Sequence, residues 1–192
     1  GLFEGLRDNK IVPVLCGSSM QNNGIASLLN FLANNAPSPD VTPENGYTED
    51  DEEIELPISV DEPFSSFVFK TSIDQFSGRL SFLKVVGGTL KSEMEIYNYR
   101  ERKKEKLHKV YKVNGRKLEE VKELVAGDIG VVNKLEGVNT NDTLCAPDRI
   151  VKLRELDMPQ PVYGLTIMAQ DRKSEDKLND FLHRITEEDL TF

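Results

Sequence analysis

From Pro63 to about Leu156 the chain is cut by turn-forming residues into short β-prone runs, and this constrains its fold more than any other feature. The breaks are Ser77-Gly78, Gly87-Gly88, Asn114-Gly115, Ala126-Gly127-Asp128 and Asn141-Asp142. Between them lie Phe64, Phe67 and Phe69, then residues 80–86, then 94–99, all rich in β-branched, aromatic and other apolar side chains. Short strands separated by turn signals predict an all-β barrel or sandwich. Asn114-Gly115 predicts a two-residue hairpin loop, because Asn and Gly accept the positive φ such loops require. Residues 103–113 are ambiguous: Leu107, Val110 and Val113 recur every three positions, which also suits a helix. The surrounding barrel texture selects strand.

The flanks read differently. Residues 11–19 predict a short buried strand ending in a loop of small residues. A helix then follows Asn23, with Ile25, Leu28, Leu29 and Leu32 on one face and Pro37 and Pro39 ending it. One strand and one helix cannot cover each other's apolar faces, so residues 1–39 predict the tail of a larger α/β domain. Residues 40–57 predict an acidic linker with little periodicity, broken by Pro43, Gly46 and Pro57. The barrel is expected over 58–156. Beyond the stiff Met158-Pro-Gln-Pro161 connection, residues 162–169 predict a strand. A helix follows, N-capped by Ser174, with Leu178, Phe181, Leu182 and Ile185 on one face. Residues 157–192 thus predict the start of a third, α+β domain. Gly1 in place of a starting Met is consistent with a piece of a longer protein.

Charge is unevenly spread. The net charge is -9, but residues 40–62 hold ten of the 33 acids and no Lys or Arg. The rest of the chain is close to neutral, so it is not repelled from nucleic acid. A basic stretch stands out: Arg100, Arg102, Lys103, Lys104, Lys106, Lys109, Lys112, Arg116 and Lys117 face only Glu101 and Glu105, with Tyr97, Tyr99 and Tyr111 interleaved. As one hairpin it could neutralise phosphates, by backbone contact rather than base reading. Alternatively it is a solvated surface balancing the acids.

Other chemistries are excluded. No apolar run approaches the roughly 18 residues of a membrane span. Cys16 and Cys145 are far apart, and two His complete no Cys/His cluster, so no metal site is expected. Two unpaired thiols fit a reducing cytoplasm. No Gly-x-x-x-x-Gly-Lys-[Ser/Thr] loop is present to cradle phosphates, and no Asn-Lys-x-Asp to read a guanine edge. No Ser/His/Asp or Cys/His arrangement marks a catalytic residue, and His108 and His183 read as surface residues. This stretch of chain is expected not to be an enzyme by itself.

Several segments together resemble the elongation factor G family of bacterial translational GTPases. Pro13-Val-Leu-Cys-Gly-Ser-Ser19 with Asn22-Asn-Gly-Ile25 is similar to the last strand and helix of its G domain, where the family reads Cys-Gly-Ser-Ala and this chain has Ser19 in place of Ala. Phe76-Ser-Gly-Arg-Leu80, Gly88-Thr-Leu-Lys-Ser92, Ala126-Gly-Asp-Ile129 and Gly137 through Cys145 are similar in order and spacing to its second domain, a β-barrel. Glu187-Glu-Asp-Leu-Thr-Phe192 resembles the family's Glu-Glu-Asp-Pro-Thr-Phe, with Leu190 replacing Pro.

The resemblance implies a parent GTPase that uses GTP with Mg to move tRNA and mRNA on the ribosome. It implies that Gly17, Ser18 and Ser19 touch guanine only in that parent, and that this stretch holds no cofactor itself. The barrel is expected to pack on the G domain and domain III of the same chain, and to rest on small-subunit rRNA. Arg79 and Lys91, beside turns, join the basic stretch as candidate rRNA contacts. A cytoplasmic monomer is expected. A ribosomal protection protein of the tetracycline-resistance type and a non-translating paralogue are the alternatives.

Overall fold

The computed structural model describes residues 1–74, 77–115, 117–135 and 137–192, with Lys173 described in its backbone alone. Phe76 of the second-domain motif and Arg116 of the basic stretch therefore lie outside the described residues. The chain forms two compact units, Gly1–Val41 and Thr42–Phe192.

In the first unit, α1 (Leu2–Arg7) and α2 (Ile25–Asn35) precede a 3-10 turn at Pro39–Val41. Helix α2 begins after Gly24, whose φ of 78° lies in the left-handed region. It ends just before Pro37, because a proline disfavours helical geometry in the residue ahead of it. The predicted strand at 11–19 is not formed. Ser18 bridges Asn23, and residues 11–17 are otherwise irregular, with Val12 and Val14 exposed. A strand needs a neighbour to take its amides and carbonyls, and these 41 residues supply none.

The second unit is mainly β. Its strands are β1 (Glu44–Thr48), β2 (Glu53–Leu56), β3 (Ser65–Asp74), β4 (Gly78–Gly87), β5 (Thr89–Lys91), β6 (Glu95–Asn98), β7 (Lys103–Lys106), β8 (Val110–Asn114), β9 (Lys117–Val121), β10 (Glu123–Val125), β11 (Ile129–Asn133), β12 (Thr143–Cys145) and β13 (Val151–Leu153). Eight of them run in the order β7-β6-β12-β3-β4-β11-β8-β9, each pair antiparallel. β5 and β10 pair separately, and β13-β1-β2 make a third, antiparallel sheet. A hairpin forms at the predicted place, but Asn114 is the last residue of β8, paired with Lys117, so the loop begins at Gly115, at φ 61°, one residue later than predicted. Gly88 is needed for a different reason: at φ 66° it lies so close to the backbone of Glu62 and Phe64 that a Cβ would sit 2.7 Å from the Glu62 carbonyl oxygen.

Alternation along the strands builds two cores. Val68, Leu83, Val85, Leu90, Ile96, Leu107, Val110, Leu124, Val132 and Leu144 fill the barrel interior. Each such side chain contributes about 1.5–3 kcal/mol on burial. Val86 and Cys145 point the other way, into a second cluster with Leu56, Ile58, Val151 and Leu153. β4 and β12 are thus buried on both faces, since the three-stranded sheet covers the barrel wall from outside.

That cover corrects the expectation of an aperiodic linker at 40–57. Glu53-Ile-Glu-Leu56 alternates with period two, and β2 turns Leu56 into the second core while its glutamates face solvent. Lys84 Nζ, 2.6 Å from Glu44 Oε1, ties the sheet to the barrel.

Toward the C-terminus α3 (Arg172–Glu188) begins one turn earlier than expected. Its N-cap is Asp171, whose carboxylate accepts from the Ser174 amide at 2.8 Å. The strand expected at 162–169 is absent, and Val162, Tyr163, Leu165 and Met168 stand exposed.

Candidate nucleic-acid interface

The basic stretch does not form one hairpin. β7 lies at one margin of the eight-stranded sheet and pairs with β6, whereas β8 pairs with β9 and β11 near the other margin. Leu107 separates them and is fully buried, its amide donating to the Met94 carbonyl. Lys103, Lys104 and Lys106 therefore sit apart from Lys109 and Lys112. The tyrosines separate as well: Tyr97 and Tyr99 line a cavity of about 490 Å³ with Glu49, Asp50, Arg102 and Ile150, while Tyr111 stands opposite Val131 and Glu120.

The local excess of positive charge along the sequence is largely cancelled in space. Neighbouring strands place acids beside the lysines: Lys104 Nζ is 3.1 Å from Glu95, Lys106 2.6 Å from Glu93, Lys109 2.6 Å from Glu120 and Lys112 3.3 Å from Asp128. Lys91, a candidate from outside the stretch, is 3.9 Å from Glu123. The Lys106 ammonium holds the Glu93 carboxyl below the usual carboxylate range, and Glu120 raises the Lys109 ammonium above its ordinary value. Most of these partners are more than half exposed, so solvent screens each pair and it contributes little to stability. Such pairs open readily toward a stronger anion.

Arg102 and Lys103, both exposed, have no ion pair among the described residues. Arg102 has φ 52°, a left-handed conformation uncommon outside glycine.

Arg79 and Arg100 are engaged within the protein. Arg79 Nη1 is 3.3 Å from Glu187 of α3, its Nη2 donates to Asn139 Oδ1, and its side chain is only 16% exposed. Arg100 Nε donates to Asp142 Oδ1 at 2.6 Å, and Arg100 Nη2 to the Gly137 carbonyl at 2.7 Å. Asp142 is buried and also accepts from Asn98 Nδ2 at 3.0 Å and the Asn139 amide at 2.8 Å. The hydrogen bond to Asp142 raises the Arg100 guanidinium further above its ordinary range. Sequence reasoning missed Asp142, Asn98 and Asn139. For Asn139 and Asp142 the signal was the turn composition Asn139-Thr-Asn-Asp142, which marks a loop without showing that it closes on an arginine 42 residues away; Asn98, at the end of β6, had none.

In the first unit, Gly17, Ser18 and Ser19 form the small-residue loop that precedes α2. The Ser18 amide donates to the Asn23 carbonyl at 2.9 Å, and a Cβ on Gly17 would lie 2.9 Å from that same oxygen. The Ser19 amide has no hydrogen bond among the described residues. The Gly17 amide has none either, so the loop can offer more than one backbone donor to a planar ligand edge.

Comparison with known proteins adds the family. Residues 63–147 match the model described as elongation factor G domain 2, and residues 158–192 match elongation factor G, domain III. Together these matches cover more than half of the chain. Elongation factor G 2 of Desulfotalea psychrophila (strain LSv54 / DSM 12343) is 39% identical over 184 residues, 95% of this chain and 27% of that protein. The chain thus spans about a quarter of the length of that relative. A crystal structure from Thermus thermophilus superposes with a TM-score of 0.75 at 24% identity, over 99% of this chain and 26% of the other, a likeness of fold. With domain 2 matched across the barrel and domain III across the segment that carries α3, the chain belongs to the elongation factor G family.

Proposed function

We propose that the barrel docks its parent protein on the small ribosomal subunit through the margin formed by β6 and β7. The observation that carries this is the pairing state of the basic residues: Arg102 and Lys103 are exposed without an ion pair among the described residues, and Lys104 and Lys106 beside them are held only by weak exposed pairs. A phosphate backbone can displace Glu95 and Glu93 from these lysines at little expense, because both partners are already solvated. Lys109, Lys112 and Lys91 belong to other edges and contribute longer-range attraction.

The parent is a cytoplasmic, monomeric GTPase that moves tRNA and mRNA, with residues 1–39 as the end of its G domain. Residues 44–56 add β1 and β2 to the barrel at 58–156, and 157–192 open domain III. Its GTP, bound with Mg, supplies the phosphoanhydride whose hydrolysis drives movement. The loop at Gly17, Ser18 and Ser19 fits the guanine edge through the Ser19 amide. It offers no phosphate cradle, so this chain alone neither binds nor hydrolyses GTP.

The test uses the full-length parent with Lys103→Glu, Lys104→Glu and Lys106→Glu. Ribosome binding should weaken at least tenfold at low salt, with a shallower salt dependence. GTP affinity off the ribosome should stay unchanged. Wild-type ribosome affinity at both low and physiological salt would overturn the docking role.

A further inference from the structure

We propose that Arg79 and the Glu187–Glu188 pair form an intramolecular clamp that fixes the C-terminal end of α3 on the barrel, and that loop 137–142 ties this clamp to Arg100. The proposal stands on contacts within the second unit and holds whether or not the β6–β7 margin meets RNA.

The position of the two glutamates calls for a partner. They occupy the last turn of α3, where the helix dipole disfavours negative charge, and no basic residue of the helix stands in that turn. Both reach the barrel instead. Glu187 Oε2 lies 3.3 Å from Arg79 Nη1. Glu188 Oε1 accepts from the Ser72 hydroxyl at 3.2 Å and from the Ile73 amide. Ile73 and Arg79 face each other across β3 and β4, so the two carboxylates grip one rung of that ladder.

From there the contacts continue without a gap. Arg79 donates to the Asn139 side chain, the Asn139 amide donates to Asp142, and Asp142 holds Arg100 at 2.6 Å. Arg100 adjoins Glu101, Arg102 and Lys103. A displacement of α3 thus acts on the loop that positions Arg100, and a displacement of that loop acts on α3. Arg79 is a positioning residue on this reading and contacts no nucleic acid.

Amide hydrogen exchange on the 192-residue chain tests both parts. Glu187→Gln and Glu188→Ala should speed exchange at Ile73 and in the last two turns of α3 roughly three- to tenfold, the scale of exposed and charge-assisted contacts. Leu83 and Val132 in the barrel core should keep their protection. Asn139→Ala, at a residue with no contact to α3 among those described, should also loosen α3. Asn139→Asp keeps an acceptor for Arg79 and should preserve α3 protection. Unchanged exchange at Ile73 and α3 in both glutamate variants would overturn the clamp. Loosening confined to loop 137–142 in Asn139→Ala, or equal loosening by Asn139→Asp, would overturn the tie to Arg100.

Discussion

Arg100 and Lys104 are near neighbours in sequence, yet their surroundings give them different roles. Arg100 meets a carboxylate that is 2% exposed and is held by two further donors. Lys104 meets one that is 59% exposed. Asp142→Ala should therefore destabilise the barrel by about 2–3 kcal/mol, because it strands the Asn98 and Asn139 donors as well as the guanidinium. Lys104→Ala should change stability by less than about 0.5 kcal/mol. Urea unfolding of the two variants checks the difference. The cysteines separate by the same logic. Cys145 is fully buried, and desolvation pushes its thiol above the ordinary range, whereas Cys16 is exposed. Maleimide at neutral pH should label Cys16 within minutes and Cys145 only on unfolding. Because the folded state holds the Cys145 proton more tightly than the unfolded chain, this residue's contribution is constant below the unfolded thiol range. Above it, stability should fall as pH rises.

At the scale of elements, charge concealed structure. The acids at 44–56 read as a solvated linker, but β1 and β2 pair with each other and β1 with β13, and Leu56 is 3% exposed. Leu56→Ala should destabilise by about 2–4 kcal/mol, since it empties a site between Val86, Val151 and Leu153. Limited proteolysis should accordingly spare 44–56 and cut first within 157–170, where backbone without strand or helix carries exposed side chains such as Val162 and Tyr163. A first cut between Glu49 and Glu55 would show the hairpin to be weaker than its pairing suggests. The basic stretch shows the converse error. A run continuous in sequence is divided by buried Leu107 into strands that belong to different hairpins.

For the whole molecule, two observations bear on nucleotide. The loop before α2 presents the Gly17 and Ser19 backbone amides without a hydrogen bond among the described residues, and the sequence has no phosphate-cradling glycine loop. A fluorescent GTP analogue titrated into the 192-residue chain should show no saturable binding up to about 100 μM, since each backbone donor contributes only about 0.5–1.5 kcal/mol. Saturation at micromolar analogue would refute the reading of Gly17, Ser18 and Ser19 as a partial site.

The sequence by itself determined the fold class, the barrel's turn positions and the family, because these rest on local periodicity and on motifs that recur in order. Gly88 and Gly115 both stand at positive φ, where glycine is favoured, and both mark turns. Tertiary structure alone decided which basic residues are available. Arg79 is engaged by Glu187, Arg100 by Asp142 and Lys104 by Glu95, and strand pairing and loop closure set those distances. It likewise decided that 11–19 and 162–169 are not strands, for β structure requires a neighbour as well as a pattern. Net charge along a sequence is a one-dimensional quantity, and the field that a phosphate meets is set by the acids that folding brings alongside.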